Sequence, residues 1–235
     1  MNPQLAWQAG VVEMAFAEMY PILNGRRRLR DIDRAVDELH GRAAMMQTGL
    51  LNRLNQSWQS GPDCAPGCDH CCYVRVHTTV VEAVRIACYL LEAKLPADLS
   101  VISEQIDSFC EIIDQVSGAA YFETRLPCPM LVERLCSVHP VRPIPCQTYM
   151  SWNVKACYDH FISNMPSQIP KLDAMGQAIG PLAAGLSRAV VESNAGPAWV
   201  SLPHAVRAAL FPGALKEWQS GHDLFRSCEA PLSPG

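Results

Sequence analysis

The stretch that decides the fold is RDIDRAVDELHGRAAMMQTGLLNRLNQSWQ, residues 30–59. In it Ile32, Val36, Leu39, Ala43, Met46 and Leu50 recur at alternating steps of four and three. That spacing puts them on one helix face as a heptad-like seam, which Leu54 and Trp58 extend. Gly61-Pro62 ends the pattern.

Upstream, residues 4–23 read as an amphipathic helix with Val12, Phe16, Met19 and Leu23 inward and Pro21 near its end. The 30–59 helix is expected to pack along it. Downstream, Thr78 or Thr79 caps a third helix running to about Leu95, with Val80, Val84, Ala87, Cys88 and Leu91 on its apolar face. Pro96 stops it. Residues 98–117 form a fourth helix, with Ile102, Ile106, Phe109 and Ile113 inward. Residues 126–146 carry five prolines, which predicts a shaped non-helical loop. Helical patterns return at about 148–164, 171–194 and 203–219. Tyr73–His77 has the pattern of a strand.

The expected fold is all-α, a helical domain with a cysteine-rich metal-binding core formed by irregular loops. Residues 1–60 make an N-terminal helical hairpin and 61–165 the cysteine-cluster region. Residues 166–235 make C-terminal helices packed on the same domain, with 230–235 fraying.

Composition narrows the function. The 235 residues are 49% hydrophobic and 18% charged, which excludes a disordered chain. Nineteen basic against 23 acidic residues give a net charge of −4, so general nucleic-acid binding is not expected. The opening MNPQLAWQAG lacks the basic and cleavable parts of a secretory signal, and no apolar run is long enough to span a bilayer. These features predict a cytoplasmic protein without a membrane role. No GxGxxG, P-loop, HExxH or GxSxG occurs. The run Arg26-Arg27-Arg28-Leu29-Arg30 reads as a solvated face, with pairs such as Arg27–Asp31 and Arg34–Glu38.

Eleven cysteines remain to be explained, and ten lie between positions 64 and 157. In a reducing compartment such a density points to metal or catalysis before disulfides. The first group is Cys64-Ala-Pro-Gly-Cys68-Asp-His-Cys71-Cys72. The second is Cys128, Cys136, Cys146 and Cys157. Cys68 and Cys71 have the C-x2-C spacing that lets two thiolates face one ion from a tight turn. Cys71 and Cys72 are adjacent, so one can ligate while its neighbour serves a second metal, a bridge or packing. Cys128 precedes Pro129, a step that recurs in iron–sulfur loops, and Arg-Pro-Ile-Pro stiffens the approach to Cys146.

Eight thiolates at one mononuclear site are not credible; eight sulfurs imply a cluster with spare thiols, or two metal sites. Four thiolates leave a net −2 around a divalent ion or a [4Fe–4S]2+ core alike. Arg75, Arg134 and Arg142 lie close in sequence and can offset that charge. His70 and His139 lie within the ligand loops and could replace a thiolate. Cys88 and Cys110, on apolar helix faces, are read as packing groups, and Cys228 as unrelated to the cluster.

The series Cys64…Cys68-x2-Cys71-Cys72, Cys128-Pro-Met-Leu and Cys136-Ser-Val-His-Pro-Val-Arg-Pro-Ile-Pro-Cys146 resembles the CxxCxxCC family of zinc- or iron-chelating proteins. Val80–Ala87 and Cys157, after Met-Ser-Trp-Asn, are similar to later parts of that family's pattern. The resemblance spans about residues 64–160. Three residues instead of two separate Cys64 from Cys68, Gln147 stands where Arg often follows the cysteine, and His139 replaces a Tyr. The resemblance implies iron or zinc held by the eight cysteines above. A related motif in a flagellin lysine methylase implies an iron–sulfur cluster and, by analogy, a protein-modifying methyltransferase.

The resulting expectation is a cytoplasmic metal-binding protein that holds an iron–sulfur cluster or zinc, iron–sulfur being preferred, in a redox or metal-delivery role toward an unidentified protein partner or substrate. An iron–sulfur-dependent methyltransferase and a structural zinc protein are its rivals.

Overall fold

The computed structural model describes residues 2–58, 62–163 and 172–231. Among these the chain is mostly helical, and no helix is long and apolar enough to cross a membrane. Helix α1 (Pro3–Leu23) starts at Asn2, whose side-chain oxygen accepts from the Gln4 N–H at 3.0 Å. Pro3 takes the first helical position, where a missing N–H costs nothing. Pro21 sits in the last turn and the helix continues to Leu23.

The buried line of α1 is Val11, Ala15, Met19 and Leu23, while Val12 and Phe16 are half-buried. The face is therefore turned from the expected one. The cause is α8 (Asp173–Glu192), which lies along α1. A Cβ at Gly185 of α8 would stand 2.5 Å from the Val12 carbonyl oxygen and 2.7 Å from the Ala15 Cβ. So close an approach needs glycine on one helix and small side chains on the other.

Helix α2 (Leu29–Trp58) buries Ile32, Val36, Leu39 and Ala43 completely. Met46, Leu50 and Leu54 are half-buried. The side chain of Trp58 and the expected stop at residues 59–61 lie outside the described residues. Helix α2 touches α1, α3 and α8, but the long contact of α1 is with α8.

Between α1 and α2, the Arg26–Arg30 run is not a uniformly solvated face. Arg27 is 8% exposed, with φ +45°. Its guanidinium donates to the carbonyls of Leu23 (3.1 Å), Trp218 (3.2 Å), Ser193 (3.0 Å) and Asn194 (3.1 Å). It thus gathers carbonyls at the ends of α1, α8 and a C-terminal helix, and it does not pair with Asp31. Asp31 instead takes Arg34, at 3.4 Å.

Helix α3 (Val80–Ala93) is the central element. Thr79 and Glu82 form a capping box, and Val80, Val81, Ala83, Val84, Ile86, Ala87 and Leu90 are fully buried. Each buried Val, Ile or Leu contributes roughly 1.5–3 kcal/mol of transfer free energy. Leu91, expected inward, is 49% exposed. Helices α4 (Pro96–Ile113) and α5 (Ala119–Glu123) follow.

A hairpin of β2 (Leu131–Val132) and β3 (Leu135–Cys136) and a 3₁₀ turn at His139–Val141 lead to the one-turn helix α6 (Ile144–Thr148). The proline-rich loop therefore ends in a helix that was not expected. Pro143 and Pro145 fall at its cap and first turn, where proline is tolerated. Helix α7 (Val154–Ser163) starts six residues after the expected 148. Residues 164–171, where one predicted helix ends and the next begins, lie outside the described residues. So do 232–235 of the tail.

The predicted 203–219 helix is two helices, α9 (Leu202–Leu210) and α10 (Ala214–Gln219), broken at Pro212 and Gly213. The Tyr73–His77 strand narrows to β1 (His77–Thr78), which pairs antiparallel with β4 (Val200–Ser201), His77 opposite Ser201. This pairing brings the exit of the first cysteine loop against the entry to α9.

Candidate metal centre

The first cysteine loop begins with a tight turn in which the Cys68 N–H donates to the Ala65 carbonyl at 3.0 Å, with Gly67 at φ +86°. A 3₁₀ turn over His70–Tyr73 then carries Cys71 and Cys72. Three clamps tie this loop to distant chain. The Cys128 N–H donates to the Cys72 carbonyl at 2.7 Å. The buried Asp69 carboxylate takes Nε and Nη2 of Arg134, at 3.3 and 3.0 Å. The Asp63 N–H donates to the Ser151 carbonyl at 2.9 Å, and the Ser151 N–H to the Cys64 Sγ at 3.4 Å.

Arg134 reaches Asp69 from the tip of the β2–β3 hairpin. Glu133 and Arg134 both have positive φ, 49° and 64°. Glycine or asparagine is favoured in such turns, so this tip stores strain.

A fourth clamp holds Cys146. The Glu82 carboxylate is fully buried and accepts from the Ile144 N–H at 2.6 Å, at the start of α6. The same carboxylate takes the hydroxyls of Thr78 (2.9 Å) and Thr79 (2.8 Å) and pairs with His40 Nε2 at 3.2 Å. Burial alone would raise its pKa, but His40 and the donors from Ile144 and Thr79 outweigh it and hold the group below the usual range.

Electrostatic influence, rather than a shared ligation geometry, links the eight predicted cysteines into two overlapping groups. Cys72 lies within electrostatic reach of Cys71, Cys128 and Cys136, and Cys146 within reach of Cys128, Cys136 and Cys71. Cys64 is within reach of Cys71 and Cys157, and Cys68 of Cys64 and Cys71. Cys71 belongs to both groups. Cys64 is exposed, Cys157 is buried in α7 and the other six are half-buried. Cys88, Cys110 and Cys228 are buried elsewhere.

The thiols differ in acidity. A hydrogen bond from the Cys72 thiol holds Cys71 down at about 7, against the opposing effect of burial and with help from Arg142. The same bond raises Cys72. Burial pushes Cys128 up to about 12 and raises Cys136, Cys64 and Cys68, and it raises Cys146 strongly. The Cys128 thiol also donates to the Met130 sulfur at 3.7 Å. Cys71 is thus the thiol that ionises near neutral pH, which is what ligation requires.

Two of the three expected arginines act electrostatically on the cysteines. Arg142 acts on Cys64, Cys71, Cys136 and Cys146. Arg75 acts on Cys128, and its buried Nε and Nη1 have no hydrogen-bond partner. Arg134 is committed to Asp69. His70 packs on the rings of Tyr158 and Phe161, at 5.8 and 5.7 Å, and His139 is exposed beside Arg142. Among the described residues, no three His, Cys, Asp or Glu side chains stand gathered as a formed metal-holding set.

Several positioning groups escape a reading of spacing alone. The Thr79-x-x-Glu82 pattern announces a helix cap but not the reach of Glu82 to Ile144. His40 and His204 likewise pair across 42 and 90 residues, with Glu82 and Asp114. Comparison with family models, curated proteins and solved structures finds no match.

Proposed function

We propose that the chain is a metal-binding protein whose two cysteine loops hold an iron–sulfur cluster, with zinc the second choice, in a redox or metal-delivery role. What supports this reading is that the Cys128 N–H donates to the Cys72 carbonyl at 2.7 Å, which joins the two cysteine loops, and that Cys71, Cys128 and Cys136 each act electrostatically on both Cys72 and Cys146. The donor set fits such a guest. Soft sulfur dominates it, and the orphaned donors of Arg75 beside Cys128 await negative charge.

The inner five cysteines are the candidate ligands, and Cys64, Cys68 and Cys157 form the outer group. Iron–sulfur is preferred because of the surplus of thiols, the Cys128-Pro129 step and the resemblance described above. A bound cluster would supply reversible electron transfer. The chain's own residues do the rest. Cys71 loses its proton first, Arg75 and Arg142 offset thiolate charge, and the Glu82–Ile144 and Arg134–Asp69 bonds fix the loops. Cys64 and Cys68 give the site an accessible edge toward a partner.

The test is iron, zinc and acid-labile sulfide analysis of protein purified without oxygen, on the wild type and on Cys146→Ser and Cys88→Ala. Iron and sulfide in the wild type and Cys88→Ala, but lost from Cys146→Ser, support the reading. Zinc without sulfide moves it to the second choice, and metal-free protein overturns it.

A further inference from the structure

Helix α4 carries charge of one sign. From Leu95 to Thr124 the chain has six acidic residues and no Lys, Arg or His. Glu104, Asp107, Glu111 and Asp114 recur at steps of three, four and three, so they share one helix face as an exposed stripe about 15 Å long. Like charges at such spacings repel, and no basic residue stands in the last turn, where the helix dipole favours one. Other helices answer their own carboxylates, as Arg188 does Glu192 and Lys155 does Asp159. Asp114 is met from α9 by His204 at 2.9 Å and Arg207 at 3.7 Å. Among the described residues Glu104, Asp107 and Glu111 make no ion pair.

Apolar surface borders the stripe on both sides. On one side a groove of about 190 Å³ lies between α4 and the end of α9, lined by Ile106 and Asp107 of α4 and by Leu210, Phe211 and Pro212. Ile106 is buried, and Phe211, in the turn before α10, is 72% exposed. On the other side Val101 and Ile112 are exposed. The groove opens to solvent, so it can receive a side chain from a docked segment but does not enclose a free molecule. Arg207 also lines it, already turned to Asp114.

We propose that this face of α4 docks a basic amphipathic segment of a partner protein. Its Lys or Arg side chains meet Glu104, Asp107 and Glu111, and an apolar side chain enters the groove beside Phe211. Charge complementarity selects this occupant: an acidic segment, a nucleic acid or an anionic membrane is repelled by three unanswered carboxylates. A second copy of this chain offers the exposed Arg26, Arg28 and Arg30, but Leu29 between them is half-buried and leaves no apolar anchor for the groove. Exposed ion pairs each contribute little, so they set register and encounter rate while the apolar side chain supplies the hold. This docking is independent of what the cysteines bind.

The probe is a helical peptide with Lys on one face and Leu on the other, titrated into isotope-labelled full-length protein beside a scrambled peptide of the same composition. Amide resonances at 100–114 and 207–212 should shift with the first peptide. The triple variant Glu104→Gln/Asp107→Asn/Glu111→Gln should weaken binding about tenfold or more, and Phe211→Ser about threefold or more. Removing three exposed carboxylates elsewhere, in Glu38→Gln/Glu123→Gln/Glu217→Gln, should change it by less than about twofold. No binding, or shifts confined to other elements, overturns the docking. Equal binding of the scrambled peptide, or equal losses in the two triple variants, marks general attraction to an acidic protein and also overturns it. In sedimentation the protein alone should be monomeric; dimers that come apart in the α4 triple variant give the face to a second copy and overturn the partner.

Discussion

Helix α3 buries nine of its residues, whereas in the 62–74 loop Asp69 is the residue that falls in the buried class. The two stretches sit side by side in sequence, yet different forces hold them. The helix is fixed by apolar contact with α2, α8 and α9, which needs no guest. The loop is fixed by a few hydrogen bonds to Cys128, Arg134 and Ser151. Order in the scaffold comes from apolar packing; under the proposed function, order in the loops is shared with a ligand.

The largest contrast should come from stripping metal with a chelator. Amide exchange in 62–74 and 128–137 should speed about a hundredfold or more, roughly 3 kcal/mol, while α3 and α8 hardly change. Equal acceleration in both regions would erase the distinction. Gly185→Ala attacks the other side. Its Cβ has no room against Val12 and Ala15, so denaturant unfolding should show a loss of about 3 kcal/mol. Metal content of the folded fraction should stay intact.

Glu82→Gln strikes the joint between the regions and should cost about 2 kcal/mol while weakening metal retention. Its pH dependence has a definite sign. A carboxyl held below its usual 4.5 in the folded state contributes stability above that value and loses it as pH falls through the folded pKa. The gap between wild type and variant in melting temperature should therefore close in acid. Cys88→Ala, at a buried scaffold thiol, should cost about 1 kcal/mol and leave metal unchanged. The smallest effect is a gain. Glu133→Asn eases the positive φ at the hairpin tip and should add about 0.5 kcal/mol in thermal unfolding.

The scaffold was legible where a side chain's fate depends on its near neighbours. The four-and-three spacing in α2 and the Thr79–Glu82 cap are local signals, and both elements stand where they were read. Contacts from far along the chain decided the rest. Gly185 turns α1 so that Val11 and Ala15 are buried in place of Val12 and Phe16. Arg27, which resembled a surface cation, is drawn inward by carbonyls near residues 193 and 218. The cysteine spacing is a local signal, whereas the reach of Glu82 to the Ile144 N–H at the start of α6 is not. That bond spans 62 residues, and no periodicity encodes it.

The pairing of β1 with β4, and of α1 with α8, also sets a schedule for the newborn chain. The apolar stripe at residues 11–23 waits for its mate until residue 192 has been made, and His77 waits for Ser201. During translation the sulfurs at 64–146 therefore leave the ribosome long before their surroundings can close. At roughly 5–20 residues per second the wait from residue 146 to residue 192 lasts seconds, during which apolar surface stays uncovered.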